Sequence, residues 1–347
     1  MKNLKNINQI LFFIVIVAAL LYFGSNFLIP FVFGIFFATL LTPLSNLIER
    51  LWDKRVISSF LGTLVVLVVV GALLFVFVHQ IRLFVSDLSA INDEVQTLIK
   101  SLQNKITETT SLSLEEQMNI WHSRSEGFVS SLESGLTSFL ENTLNTTAGF
   151  FLVLVYVFLL LYYRNKIFES ILMYVKKKNK EEAKEVLKGI SHVVYHYLWG
   201  RIKVMSILAV MYYITFLIFD IPYALMLTIF GALVTIIPYL GPFISGVIPI
   251  LFSFIYLDNV QMALLFSVII VIEQLIESYV LEPLIIGHEV KMNPLIVIIA
   301  IVLGSAIWGL AGMILFVPIF AMIGIISNHT AELRPVGYLF GNSKKSV

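Results

Sequence analysis

Glu273, Gln274 and Glu277 stand inside an otherwise apolar stretch, 260–285, and Glu282 lies just before Pro283 at its end. These side chains can bind a cation, carry a proton or hydrogen-bond a polar solute. A charge near mid-membrane costs at least about 2.5–3.5 kcal/mol on insertion scales, so a carboxylate there faces a partner or water. Glu273 and Glu277 are one turn apart and share a face, whereas Glu282 is displaced well around an α-helix. Glu273 is the deepest and the leading candidate, while Glu282 reads equally well as a solvated end residue. Lys203 is the only basic residue in 202–287, so Glu273 has no counter-charge nearby in sequence. Proton exchange fits such a site, and so does a bound sodium ion with backbone carbonyls as further oxygen ligands. The residues leave both open.

The elements that must position these groups are membrane helices. Hydrophobic residues make up 59% of the chain and charged ones only 13%, and the mean hydropathy is +0.93. Soluble domains run at about 45–50% and 25%. The expected fold is all-α, a polytopic integral membrane protein. A net charge of +1 gives no sign of a nucleic-acid partner, and the lack of cysteine excludes disulfides and thiol chemistry. With roughly 20 apolar residues per crossing, candidate spans are 10–28, 30–48, 58–81, 147–163 and 202–220, followed by a broken region, 222–327. The first run follows only Lys2 and Lys5 and lacks a small-residue cleavage site, so it reads as a retained span.

The broken region holds two interruptions, Pro238-Tyr239-Leu240-Gly241-Pro242 and Gly304 through Gly312. A span that breaks its own helix must satisfy the freed backbone groups inside protein or water, because lipid offers no partner. Lysines and arginines decide the orientation. Lys2 and Lys5 flank the first span, Arg50, Lys54 and Arg55 follow the second, and ten more lie between Arg164 and Lys203. The polar segment 83–145 holds only Lys100, Lys105 and Arg124 against nine acids. Both termini then read as cytoplasmic, with Arg334, Lys344 and Lys345 marking the C-terminal side. The segment 83–145 reads as an external helical insertion with a turn at Thr107 to Ser113. From outside near Asp220 to inside by Asn328, with one crossing at 260–285, each broken segment must return to the side it entered. The expectation is two re-entrant hairpins of opposite sense. Both share two glycines followed by a proline, Gly241 and Gly246 before Pro249, and Gly309 and Gly312 before Pro318. Interrupted segments in corresponding positions of two halves point to a transporter's binding site.

The resulting division is 1–82 for helices 1–3, 83–145 for the insertion and 146–163 for helix 4. A cytoplasmic basic amphipathic helix (164–200), a transport core (201–328) and a cytoplasmic tail (329–347) complete it. Lys176, Lys177, Lys178 and Lys180 open the basic helix, whose stripe of Ala183, Leu187, Ile190, Val194, Tyr197 and Leu198 suits a membrane surface or the bundle. His192 and His196 at i and i+4 could hold a metal ion, but no third ligand is evident, and no metal or cofactor is expected. The chain lacks a Gly-x-Ser-x-Gly elbow, a Walker loop and a His-Glu-x-x-His motif. It therefore reads as a non-enzyme, with any coupling to a sodium or proton gradient. Asn145-Thr-Thr and Asn328-His-Thr match the glycosylation pattern by chance.

The order and spacing of these motifs resemble the AI-2E transporter family, bacterial permeases named for export of autoinducer-2. The resemblance rests on Ile29-Pro30, Thr42-Pro43, Tyr197-Leu-Trp-Gly200-Arg201 and Ile237-Pro238-Tyr239-Leu-Gly241-Pro242. It continues through Glu273-Gln274, Glu277, Glu282-Pro283-x3-Gly287-x5-Asn293-Pro294, Gly309-x2-Gly312-x5-Pro318 and Arg334-Pro335. The family usually has a histidine where this chain has Asn293, so no protonatable group stands there. The resemblance implies about eight membrane helices or hairpins, a homo-oligomer (a pentamer in described relatives) and elevator-like movement. It also implies an inner-membrane location and either export of a small autoinducer-2-like solute or sodium (lithium)/proton antiport. Outside that resemblance, the alternative is a non-transporting membrane scaffold that binds a partner protein through the insertion.

Overall fold

The structure, a computed structural model, describes residues 2–87, 134–135, 137–138, 147–257, 259–286 and 292–341. The expected turn at Thr107 to Ser113, nearly all of the insertion, and Lys344 and Lys345 lie outside the described residues. All described elements are helical apart from one isolated bridge, Met292 to Gly341. The helices are α1 (Lys2–Phe23), α2 (Ser25–Trp52), α3 (Arg55–Ser86), α4 (Thr147–Met173), α5 (Lys180–Ile218), α6 (Ala224–Val234) and α7 (Leu240–Tyr256). They continue with α8 (Val260–Ile276), a π-helix (Glu277–Ile286), α9 (Pro294–His329) and α10 (Arg334–Phe340). Among the described residues, six stretches are long and apolar enough to cross a membrane: α2, α3, α4, α5 with the short turn before it, α8 with its π-helix, and α9.

Three helix boundaries differ from the sequence reading. The first break falls at Gly24, and Pro30 is carried inside α2. Pro30 is the sixth residue of α2, past the first turn, so it forfeits one helix bond, to the Asn26 carbonyl, without ending the helix. Helix α4 runs ten residues past 163, to Met173, and Arg164 at the start of that extension pairs with Glu49 of α2 and donates to Ser45 at 2.8 Å. The boundary at 200/201 lies within α5, which runs unbroken from the basic segment into the apolar one. The stripe of α5 packs on the bundle: Val194 and Tyr197 share a core with Ile296, Leu315 and Val317 of α9.

Two chain reversals shape the second half. Helices α6 and α7 form one hairpin, with a tip at 235–239 whose Ile237 packs in the core shared by Val194 and α9. Its open end meets the end of α3, where the Tyr223 hydroxyl donates to Asp87 at 2.8 Å and the Phe84 ring lies 5.2 Å from that of Tyr223. The second reversal is inside α9, at Trp308 (φ −128°, ψ 15°) and Gly309 (φ 58°, ψ −136°), a conformation open essentially to glycine alone. Its arms, 294–307 and 310–329, touch where Gly304 meets Gly312: a Cβ on either would strike the other's backbone carbonyl. Length alone therefore overstates α9 as a single straight crossing. Its open end meets the basic half of α5, where Gly189 lies beside Ile325, and its tip reaches α1 through a 2.8 Å bond from Trp308 Nε1 to the Leu21 carbonyl. The two hairpins thus open toward opposite ends of α5.

Substituting alanine at Gly312 should lower the thermal midpoint in detergent, by a cost of about 1–3 kcal/mol, because backbone must move aside. Gly71, inside α3 with nothing near its Cβ position, is the control. Gly71→Ala should stabilise by about 0.5–1 kcal/mol.

Candidate functional site

Helix α8 runs antiparallel to α5, and the pairing builds a polar cluster inside the bundle. Thr215 of α5 donates to Glu273 Oε1 at 2.6 Å. Gln274 Nε2 donates to the Tyr212 hydroxyl and, at 2.9 Å, to Ser245 Oγ of α7. The Tyr212 hydroxyl also lies 3.3 Å from Ser245 Oγ, which in turn donates to the Pro242 carbonyl at 3.2 Å. Gly246 lets α7 close on Gln274, since a Cβ there would sit 3.4 Å from its Cγ. Through Pro242, Ser245 and Gly246 the first hairpin is bonded directly to the acidic helix.

One turn along, the helix changes type. Pro283 has no N–H to donate and its ring crowds the carbonyl four residues back; there the chain adopts i→i+5 bonding over Glu277–Ile286. The wider helix takes more residues per turn than an α-helix, which brings Glu282 round toward the side of Glu277. The sequence reading, assuming α geometry, set Glu282 well around the helix. Glu282 instead pairs with Arg201 of α5, which is 3% exposed, and Glu277, fully buried, feels the same guanidinium. Arg201 precedes by one residue the stretch that lacks counter-charges, and it neutralises in space what has no partner in sequence. Gly200 beside it packs on Ile286 of the π-helix.

Among the described residues, several buried polar atoms in this cluster have no hydrogen-bond partner: both carboxylate oxygens of Glu277, Glu273 Oε2, Gln274 Oε1 and Arg201 Nε. Buried polar groups are nearly always paired, so a concentration of orphans marks a place where something else binds or a proton moves. π-Helical segments are likewise frequent at functional sites.

The other predicted residues fall elsewhere. Pro238 and Tyr239 form the first hairpin's tip, a γ-turn in which Leu240 N–H donates to the Pro238 carbonyl at 2.8 Å. Tyr239 there has φ 65° and ψ −50°, the rare, strained form of that turn. Gly241 follows, wedged against Val234 and Thr235. Asn293 and Pro294 start α9: the Asn293 side chain caps it by accepting from Leu295 N–H at 3.0 Å. Gly309 and Gly312 make the second tip and the close arm contact, and Pro318 is buried in the arm after it. Among the described residues, none of these second-hairpin groups hydrogen-bonds to the acidic cluster. Arg201, Tyr212, Thr215 and Ser245 are the members that the sequence reading missed. Positions 201, 212 and 215 share one face of α5, a spacing that could have flagged three of them. No third metal ligand stands with His192 and His196 among the described residues. A cavity of about 650 Å³ between α2, α3, α5 and α6 is apolar, lined by groups such as Leu41, Val66, Trp199 and Ile229, and includes none of the carboxylates.

Helices of membrane-crossing length around a buried polar cluster, with one helical hairpin bonded to it and a second chain reversal elsewhere in the bundle, define a polytopic membrane protein of the transporter class. The chain belongs to the AI-2E transporter family, whose model matches residues 11–332. It is 27% identical over 336 residues to a Bacillus subtilis (strain 168) protein that carries the name "Putative transport protein YueF", covering 91% of this chain and 90% of the relative. YrrI of the same organism is 25% identical over 314 residues (88% and 87%) and YhhT of Escherichia coli (strain K12) 23% over 335 (94% and 92%), both under names of the same form.

Proposed function

We propose that the chain is a secondary transporter that exports a small polar solute of the autoinducer-2 kind across a bacterial inner membrane by alternating access. The observation that carries this reading is the direct bonding of a helical hairpin to the acidic helix, Gln274 to Ser245, beside carboxylate oxygens that no described residue satisfies. A moving hairpin so attached would expose Glu273, Gln274 and Glu277 to each side in turn. The opposite opening of the two hairpins favours reading them as re-entrant, entering from opposite faces, within about eight membrane helices or hairpins. Charge counting puts both termini in the cytoplasm and 83–145 outside. A homo-oligomer fits the long exposed apolar faces of α3 and α8.

A second reading, sodium (lithium)/proton antiport, is favoured by Glu277 in particular. A fully buried carboxylate whose two oxygens are unpartnered among the described residues can take either a proton or a monovalent cation once a movement of the hairpin opens a path to it. Counterflow in proteoliposomes, comparing autoinducer-2 with sodium and proton gradients, separates the two. Glu273→Gln should abolish ion-coupled flux while Thr215 can still bond the amide oxygen; undiminished flux would remove Glu273 from the mechanism.

A further inference from the structure

We propose that the basic end of α2, α3 and α4 holds a binding site for the phosphate headgroup of an anionic phospholipid from the surrounding leaflet. A cavity of about 430 Å³ is lined there by Lys54, Arg55, Val56, Tyr162, Tyr163 and Lys166. The cationic groups outnumber the acids around it. Glu49 is shared between Arg55, at 3.3 Å, and Arg164, Asp53 is the other acid in the adjoining turn, and among the described residues Lys54 and Lys166 enter no ion pair. Lys166 Nζ stands 6.0 Å from the Tyr163 ring centroid, and the ring of Tyr162 meets that of Tyr163 edge-on at 4.7 Å. Two free ammonium groups flanked by phenols suit a phosphate diester, which accepts hydrogen bonds but cannot donate.

The occupant is a lipid because of what the cavity opens onto. Val56, Phe60, Leu64 and Val68 form an exposed apolar row on α3, and Tyr163, Leu159 and Val155 form another on α4; the two helices pack together. Val56 to Val68 spans about 18 Å of helix at 1.5 Å per residue, close to the roughly 15 Å of half a hydrocarbon core. A headgroup pocket at the foot of an acyl-length apolar track has the shape of one phospholipid. Basic pockets between membrane helices on the cytoplasmic side take such headgroups. The inference rests on the bilayer placement and not on what the protein transports.

Native mass spectrometry of the full chain, purified in detergent and mixed with phosphatidylglycerol or phosphatidylcholine, tests it. Wild type should retain phosphatidylglycerol preferentially, and a Lys54→Gln, Lys166→Gln variant should lose that retention by roughly thirtyfold. Lys177→Gln, Lys178→Gln, which removes the same charge from the turn before α5, should leave it unchanged. Equal retention of both lipids, equal loss in the two variants, or an unaltered first variant would overturn the site. Displacement of the lipid by soluble glycerol phosphate at matching concentration would overturn the lipid as its source.

Discussion

Arg201→Ala should destabilise the protein strongly, by about 3 kcal/mol, read as a fall in the thermal or denaturant midpoint in detergent. Removing one partner of a buried pair leaves an uncompensated charge and typically costs 3–5 kcal/mol. The lower end applies because the Glu282 side chain keeps 35% of its surface exposed, so water recovers part of the loss. Adding Glu277→Gln and Glu282→Gln to Arg201→Ala should restore most of the midpoint, since no charge is then left without its partner. A triple variant as unstable as Arg201→Ala would mean that the guanidinium acts by packing, through Tyr197 and Gly200, and not by charge. Arg201→Lys should fall between, because one ammonium cannot reproduce the guanidinium's fork.

The sequence made the helical class, the two interruptions and the acidic helix readable, because each is a local departure from a long apolar run. Lipid imposes a simple rule, that backbone be self-satisfied and charge be justified, and violations of it stand out residue by residue. What stayed hidden was set by contacts between distant segments. Thr215 with Glu273 is 58 residues apart, Gln274 with Tyr212 is 62 and Arg201 with Glu282 is 81; no local pattern announces such pairs. The position of Glu282 was missed for a different reason. Helical-wheel arithmetic assumes 3.6 residues per turn, and Pro283 shifts the helix to wider bonding, so the face on which a residue lies depends on the helix type. Asn293 shows the converse: within the resemblance it stands at a motif position, and in the fold it is a helix cap for which asparagine is among the best residues.

Glu277→Gln should separate function from stability. The substitution keeps the side chain's shape, removes a buried negative charge whose two oxygens have no hydrogen-bond donor, and leaves Arg201 its pair with Glu282. Folding should therefore be unharmed, with a midpoint equal to or above that of wild type. Flux should nevertheless fall by about a hundredfold, which corresponds to roughly 2.7 kcal/mol at 1.36 kcal/mol per decade. The amide cannot alternate between a bound cation and a proton, because it carries neither the charge that holds the one nor a site that takes up the other. Counterflow in proteoliposomes, measured beside the unfolding midpoint of the same preparation, checks both halves. A variant that is stable and fully active would show that the unpartnered carboxylate is structural and that coupling runs through Glu273 alone. Lost flux with an unchanged midpoint would put Glu277 in the transport path, on the helix to which the first hairpin is hydrogen-bonded.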